Sequence, residues 1–301
     1  MFVVVVCSAL AINGVLDIWA SYREQESLLV RIQHEQAEAA AANISQFVKE
    51  IEDQMAWSVM FTWDESTYDD WRLDAVRMFR EVPAVSEVTQ LDQSGRELYR
   101  LSRQAIDVVE SHADHSHDSF FLQAMANKIY YGPVNFVDGS EPYMTLAVAG
   151  SRPEYGVLEA QVDLRSIWDV VSQIKVGRTG YAYVVDADGH LIAHPDISLV
   201  LRNTDMSLLP QVRKARIEQT DSRADYSFVP SAFGGGSVLS ANAKVGHLNW
   251  TVFVDLPLSE AFQPIYSSIL RSISVLLAAL GLAVVAGLVL ARKMVVPIRA
   301  L

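Results

Sequence analysis

Residues 180–194 read Gly-Tyr-Ala-Tyr-Val-Val-Asp-Ala-Asp-Gly-His-Leu-Ile-Ala-His. Gly180–Val185 has the aromatic and β-branched content of a strand. Asp186–Gly189 is a turn with glycine at its last position, and His190–His194 returns as a second strand. The same grammar stands about ninety residues earlier: QLDQSGREL (90–98) matches VVDADGHLI (184–192) as Asp-x-x-Gly between apolar strands. A unit repeated once predicts two related modules in tandem.

Outward from these turns the chain alternates sheet and helix. In the first module Val85–Leu91 and Arg96–Leu101 form a hairpin around Asp92–Gly95. Ser111–Asp118 is a polar loop and Phe120–Lys128 a short helix. A second hairpin follows, Tyr130–Val137 and Tyr143–Ala149 about Asp138-Gly139-Ser140, and Tyr155–Val162 adds a strand. Leu164–Ile174 is a helical link. The second module continues with a helix over Asp205–Gln219 and strands at Ser237–Ala243 and Trp250–Leu256. Gly234-Gly235-Gly236 reads as a hairpin loop, because no helix or lysine follows to make a phosphate cradle. The class is α+β, with two antiparallel-sheet modules that resemble PAS folds.

The flanks are apolar. Ser272–Ala291 holds twenty uncharged residues, the length a helix needs to cross a bilayer. Arg292, Lys293 and Arg299 follow without an acid, which marks that end as cytoplasmic. Phe2–Leu16 is apolar apart from Ser8, Asn13 and Gly14, and two readings compete for it, a cleaved signal or a retained membrane helix. The missing basic n-region and the unbroken passage into a helical pattern favour retention. Asp17 then sits at a wetted helix end. Ser21–Phe61 lacks proline and glycine, and Ile44, Phe47, Ile51, Met55 and Val59 make one apolar stripe, a stalk helix able to pack on its domain or on a second copy.

Basic residues number 24 and acidic ones 36, a net charge of −12. Asp17, Arg292, Lys293 and Arg299 are the only charges outside Ser21–Arg271, so that segment carries −14. Such a surface excludes nucleic acid as a partner. The lone Cys7 excludes an intrachain disulfide. No hydrolase motif or phosphate loop is present, no cofactor is expected, and Asp64, Asp69 and Asp70 read as a solvated helix face rather than an acid pair.

These residues together resemble the double Cache sensor family of bacterial receptors. The most specific match is Val176–Asp196, with its Gly-x-x-Gly-Tyr start, Asp-x-x-Gly turn and His-Pro-Asp end. Pro297-Ile298-x-x-Leu301 is similar to the first turn of a HAMP linker. The resemblance implies membrane helices over 1–20 and 266–291, a stalk over 21–61, a membrane-distal module over 62–163, a membrane-proximal one over 164–265, and a HAMP start at 292–301. It implies a two-pass, dimeric receptor of the bacterial inner membrane with its centre outside. Its output would be a histidine kinase, with a class III nucleotide cyclase, a chemoreceptor or a diguanylate cyclase as alternatives and a membrane-tethered hydrolase as the rival from another class.

In this family the ligand sits in the distal module. Where members that bind amino acids carry Arg-x-Trp-Tyr, this chain has Asp118 and Phe120-Phe121, while Asp163 fills the closing aspartate position. The resemblance therefore points to Phe121, Tyr131, Tyr143 and Asp163 as ligand contacts, and to an amine or other cation as the ligand, since aromatic faces attract cations. His112, His115 and His117 lie close together in SHADHSHDS, but their spacing fits no closed zinc site, so the loop reads as solvated and no metal is assigned. His194 before Pro195 reads as structural.

Overall fold

The computed structural model describes residues 2–60, 67–109, 111–136, 142–174, 176–217, 226–231 and 236–295. The first apolar run and the stalk are one continuous helix, α1 (Phe2–Ser58). Its buried side is Ala37, Ala40, Ala41, Ile44, Val48, Ile51 and Met55, spaced by three and four residues as one helical face requires. The alanines let a sheet approach closely. A second helix, α2 (Tyr68–Glu81), buries Trp71, Ala75, Met78 and Phe79 and opens with Asp69 and Asp70, whose charges suit a helix N-terminus.

The first module then runs β1 (Val85–Leu91), β2 (Glu97–Ser102), β3 (Val108–Val109), α3 (Ser119–Asn127), β4 (Ile129–Asn135), β5 (Tyr143–Ala149) and β6 (Val157–Asp163). These strands make one antiparallel sheet in the order β3-β2-β1-β6-β5-β4. α4 (Arg165–Ser172) leads into the second module, and its Trp168 Nε1–H donates to the Ile192 carbonyl at 2.8 Å. There follow β7 (Tyr181–Val185), β8 (Leu191–Ala193), α5 (Ile197–Leu201), α6 (Pro210–Ile217), β9 (Tyr226–Pro230), β10 (Ser237–Val245) and β11 (Trp250–Pro257), ordered β8-β7-β11-β10-β9. Both sheets place the first and last long strands of the module side by side, so the two modules share a topology. The turns expected at 138–140 and 234–235 lie outside the described residues.

The repeat is closer than its turns alone. Asp92 Oδ1 accepts the backbone N–H groups of Ser94 and Arg96 at 2.7 and 2.9 Å. Asp186 Oδ1 accepts those of Asp188, Gly189 and His190 at 2.8–2.9 Å. Each turn glycine then receives a later loop: His115 N donates to Gly95 O and Met206 N to Gly189 O, both at 2.8 Å. Each loop carries Asp-x-Ser, Asp114-His-Ser116 or Asp205-Met-Ser207, with the serine N–H on the aspartate at 2.9 or 2.8 Å. Gly95 and Gly189 have φ of +84° and +97°, and an added Cβ would come within 2.6 Å of Ser116 and 2.9 Å of Ser207. We expect Gly95→Ala and Gly189→Ala each to cost about 1–3 kcal/mol, a fall of several degrees in the melting temperature followed by circular dichroism. Unchanged melting would show the docked loops to be dispensable.

The chain closes with α7 (Leu258–Ala261) and α8 (Gln263–Val295). Within α8, Ile269–Ala286 has a mean hydropathy of 2.3 with none of it buried. At ~1.5 Å per residue it is ~27 Å long. The beginning of α1 runs beside it: Gly14 meets Leu276, and the Tyr22 and Phe262 rings stack at 6.1 Å. Residues 297–301, read as the HAMP turn, lie outside the described residues.

Candidate functional site

The six-stranded sheet has two unlike faces. One carries Val85, Val88, Tyr99, Leu101, Met144, Leu146, Leu158, Ala160 and Val162, buried in a core shared with α1 and α2. Strand alternation sends the intervening residues to the other face, where α3 covers one end with Phe121 and Ala124 against Leu91, Ala147, Ala149 and Val157.

Strand register arranges this second face in rows. Beyond the apolar end lies Arg100–Thr89–Glu159–Ala147–Tyr130, then Ser102–Glu87–Gln161–Thr145, then Asp163–Tyr143–Asn135. Most of these side chains are only half buried, so the face is not sealed from solvent. The loop 111–118 forms the wall. His115 turns inward, its Nδ1 2.7 Å from Asp118 Oδ2, its Nε2 3.4 Å from Glu97 Oε2, and its ring 5.7 Å from that of Phe120.

The charges on this face are nearly all matched. Arg100 bonds Glu97, and Asp118 faces His115. Burial works against charge on Glu97, but its bonds to Arg100, Ser111 and His115 prevail and hold its pKa below the ordinary value. For His115 burial again opposes charge, and the Asp118 and Glu97 carboxylates overcome it, so the imidazole pKa is raised. Glu87 accepts a bond from Gln161 Nε2 at 3.4 Å. Glu159 differs. It sits in the middle of the sheet, no side-chain hydrogen bond reaches it among the described residues, and burial pushes its pKa up to about 7, with Glu87 adding to the rise and His115 opposing it. A carboxylate left so is strongly favoured by a cation.

Protonated His115 stabilises the fold. A folded pKa above the unfolded one gives stability that is fully present below the unfolded pKa, about 6.5, and is lost as pH rises through the folded value. The melting temperatures of the native chain and of His115→Gln should therefore converge between pH 6 and pH 8. A gap that stays constant would mean the imidazole does not titrate with folding.

The residues expected to contact ligand do not all share this face. Phe121 lies at its apolar end and Tyr143 and Asp163 at its far end, roughly 20 Å away at ~3.3 Å per residue from Val157 to Asp163. Asp163 is also engaged: Oδ1 accepts the Arg165 backbone N–H at 2.9 Å and Oδ2 its Nε–H at 2.6 Å. Tyr131 is on the opposite face. Its hydroxyl donates to Glu52 of α1 at 2.5 Å, because the odd step of β4 that turns Tyr130 toward α3 turns Tyr131 toward the stalk. It borders a cleft of about 510 Å³ with Lys49, Glu52 and His247. Glu159, Glu87 and Arg100 were not singled out from the sequence; their signal is a polar residue at every second position, Glu159, Gln161 and Asp163 in β6, Glu87 and Thr89 in β1, Arg100 and Ser102 in β2. Of the three loop histidines only His115 enters the face, while His117 Nδ1 pairs with Ser116 Oγ at 2.9 Å. Among the described residues no three His, Cys, Asp or Glu side chains converge as metal ligands. His194 is buried and accepts the Asp196 N–H at 2.8 Å through Nδ1, holding the turn before α5.

Comparison with known proteins agrees with this architecture. The Cache domain family matches residues 19–265, and the chain belongs to that family. Among solved structures the fold is similar to the extracellular domain attributed to the histidine kinase mmHK1S-Z2, at 14% identity and a TM-score of 0.62, covering 78% of this chain and 99% of that one. It is also similar to the ligand-binding domain of the Campylobacter jejuni chemoreceptor Tlp3 in complex with L-norvaline (14%, TM-score 0.57, covering 83% and 96%). A third is the ligand-binding domain of the Pseudomonas fluorescens chemoreceptor CtaA in complex with L-isoleucine (15%, TM-score 0.54, covering 80% and 98%). At such identities the likeness is one of fold. No curated protein matches by sequence. The chain is thus a Cache sensor domain, an extracellular sensing fold of membrane receptors.

Proposed function

We propose that this chain is the sensing region of a two-pass receptor in a bacterial inner membrane. It binds a small cationic molecule on the α3-side face of the membrane-distal module. The observation that carries this reading is Glu159, a largely buried carboxylate that, among the described residues, no side-chain hydrogen bond reaches and whose neighbour Glu87 is met by the neutral Gln161. Glu159 with Glu87 takes the place that Asp163 was expected to fill. A ligand ammonium supplies the missing counter-charge, and Phe121 with its apolar neighbours receives a hydrocarbon tail. A second reading is an amino acid, such as those in the Tlp3 and CtaA complexes. It is favoured by Arg100, which lies in the same row as Glu159 across Thr89.

Neighbouring residues of β4 connect this face to the stalk. Tyr130 belongs to the ligand side, and Tyr131 holds Glu52 on α1. A ligand that displaces β4 biases the position of α1, and the side-by-side start of α1 and α8 passes the bias inward. Bare apolar side chains along α8, such as Val275, Leu277, Leu282 and Val285, suit lipid contact. Exposed Leu28 and Ile32 on α1 suit the partner helix of a homodimer. A HAMP linker and a histidine kinase follow in this reading, with a class III nucleotide cyclase, a chemoreceptor or a diguanylate cyclase as the other outputs.

The experiment is a calorimetric titration of the whole chain in nanodiscs with putrescine, choline, L-leucine, succinate and zinc chloride. Saturable heat from an amine supports the reading. Heat from succinate or zinc alone, or from none of the five, contradicts it.

A further inference from the structure

The stalk side of the first module carries a second cleft, apart from the α3-side face. It holds about 620 Å³ between α1, which supplies Asp53, Trp57 and Met60, and the facing wall of Lys128, Ile129 and Val148. One end is closed where α1 abuts Gly150: an added Cβ there would come within 3.0 Å of the Val59 carbonyl. Trp57 and Met60 are 68% and 52% exposed. Two large apolar side chains therefore stand in water along one wall, a common mark of a binding groove.

Lys128 is the residue that the fold alone does not explain. It ends α3, its N–H on the Ala124 carbonyl at 2.8 Å and its φ at +74°. The other non-glycine residues of positive φ among those described are His112, Asn203 and Asn249, types that enter that region more readily. Glycine would close the helix without strain. Lysine closes it with strain and sets an ammonium at the cleft. That ammonium donates to the Gly150 carbonyl at 3.0 Å and reaches the Ser151 carbonyl at 3.5 Å. Both partners are neutral, and they use two of its three N–H groups. Among the described residues no carboxylate pairs with it. Asp53, the one acid lining the cleft, is met by Lys49 at 3.1 Å.

We propose that this cleft is a second binding site, for a small organic monocarboxylate with an apolar body. The carboxylate takes the third N–H and the charge of Lys128. The body lies on the Trp57 indole, Met60 and Val148. Asp53 on the α1 wall repels a second carboxylate, so the occupant carries one. Glu159 and its cation belong to the other face of the same sheet, and the two sites differ in place and in the sign of the charge they take.

The test is the melting temperature of the whole chain in nanodiscs, titrated with sodium benzoate against equal sodium chloride, with benzamide as the uncharged analogue. A saturable rise with benzoate is expected, at least tenfold weaker with benzamide and retained in Glu159→Gln. Lys128→Gln should weaken the benzoate titration at least tenfold, as loss of a charged hydrogen bond does. Trp57→Ala should weaken it as much while leaving the fold intact. Should Lys128→Gln not fold, Lys128→Gly, which suits the positive φ, takes its place. No rise in the native chain, an equal rise with benzamide, or the same titration in the Lys128 variant or in Trp57→Ala overturns the proposal. A rise lost in Glu159→Gln assigns the effect to the α3-side face and overturns it equally.

Discussion

Trp71→Ala is expected to destabilise the chain by about 3–5 kcal/mol, a large part of the ~5–15 kcal/mol that holds a typical domain together. The indole is 1% exposed and is the main side chain by which α2 grips the first sheet. Its ring lies 5.1 Å from that of Tyr99, itself fully buried on β2, and 6.4 Å from Tyr68. Truncation leaves a cavity beneath a helix that cannot collapse onto the sheet without dislodging Met78 and Phe79. The melting temperature followed by circular dichroism should fall by about 10 °C. Trp57→Ala is the control, since Trp57 is 68% exposed on α1 and should change little. Equal effects of the two substitutions would mean that α2 does not clamp the sheet.

Glu159→Gln is expected to weaken binding of the cationic ligand about 10- to 100-fold, the worth of a charged hydrogen bond lost at constant shape. The same substitution should raise the melting temperature of the unliganded chain above pH 7. With its folded pKa pushed up to about 7, the carboxyl contributes stability that is lost as pH rises from the unfolded value through the folded one. Glutamine carries no such loss. A variant that melts higher yet binds worse is the signature of a binding group held against the interest of the fold. Asp163→Asn should do the reverse: it loses the Arg165 contact and the support at the start of α4, so it melts lower, and it binds nearly as well. Isothermal titration of the two variants separates them, and a larger binding loss in Asp163→Asn would move the anchor to the far end of the face.

Most of the architecture was legible because strand pattern and turn chemistry agree locally. The Asp-x-x-Gly turns at 92–95 and 186–189 carry the repeat, and their aspartates make the backbone bonds that the residue type implies. Elements without a sharp local signal were not legible: the two-residue β3, the five-residue α5, and β9, which is held mainly by its register with β10. The site was less legible than the fold. Tyr130 and Tyr131 are adjacent and chemically alike, and only the register of β4 decides that one faces α3 and the other the stalk. Asp163 has the charge expected of an anchor, but Arg165 two residues on takes it. Glu159 stands in an ordinary strand, and only the pairing of the charges around it distinguishes it. A sequence displays charges, whereas the fold decides which are left unpaired.

Hydrogen–deuterium exchange is the measurement that locates ligand entry on the α3-side face of the first sheet. The whole chain is compared with and without the amine that titrates it in calorimetry. Slowed exchange is expected over residues 111–121 and 157–163, with a smaller change in β4 and the stalk around Glu52. Slowing confined to the second sheet, or absent from both, would contradict it.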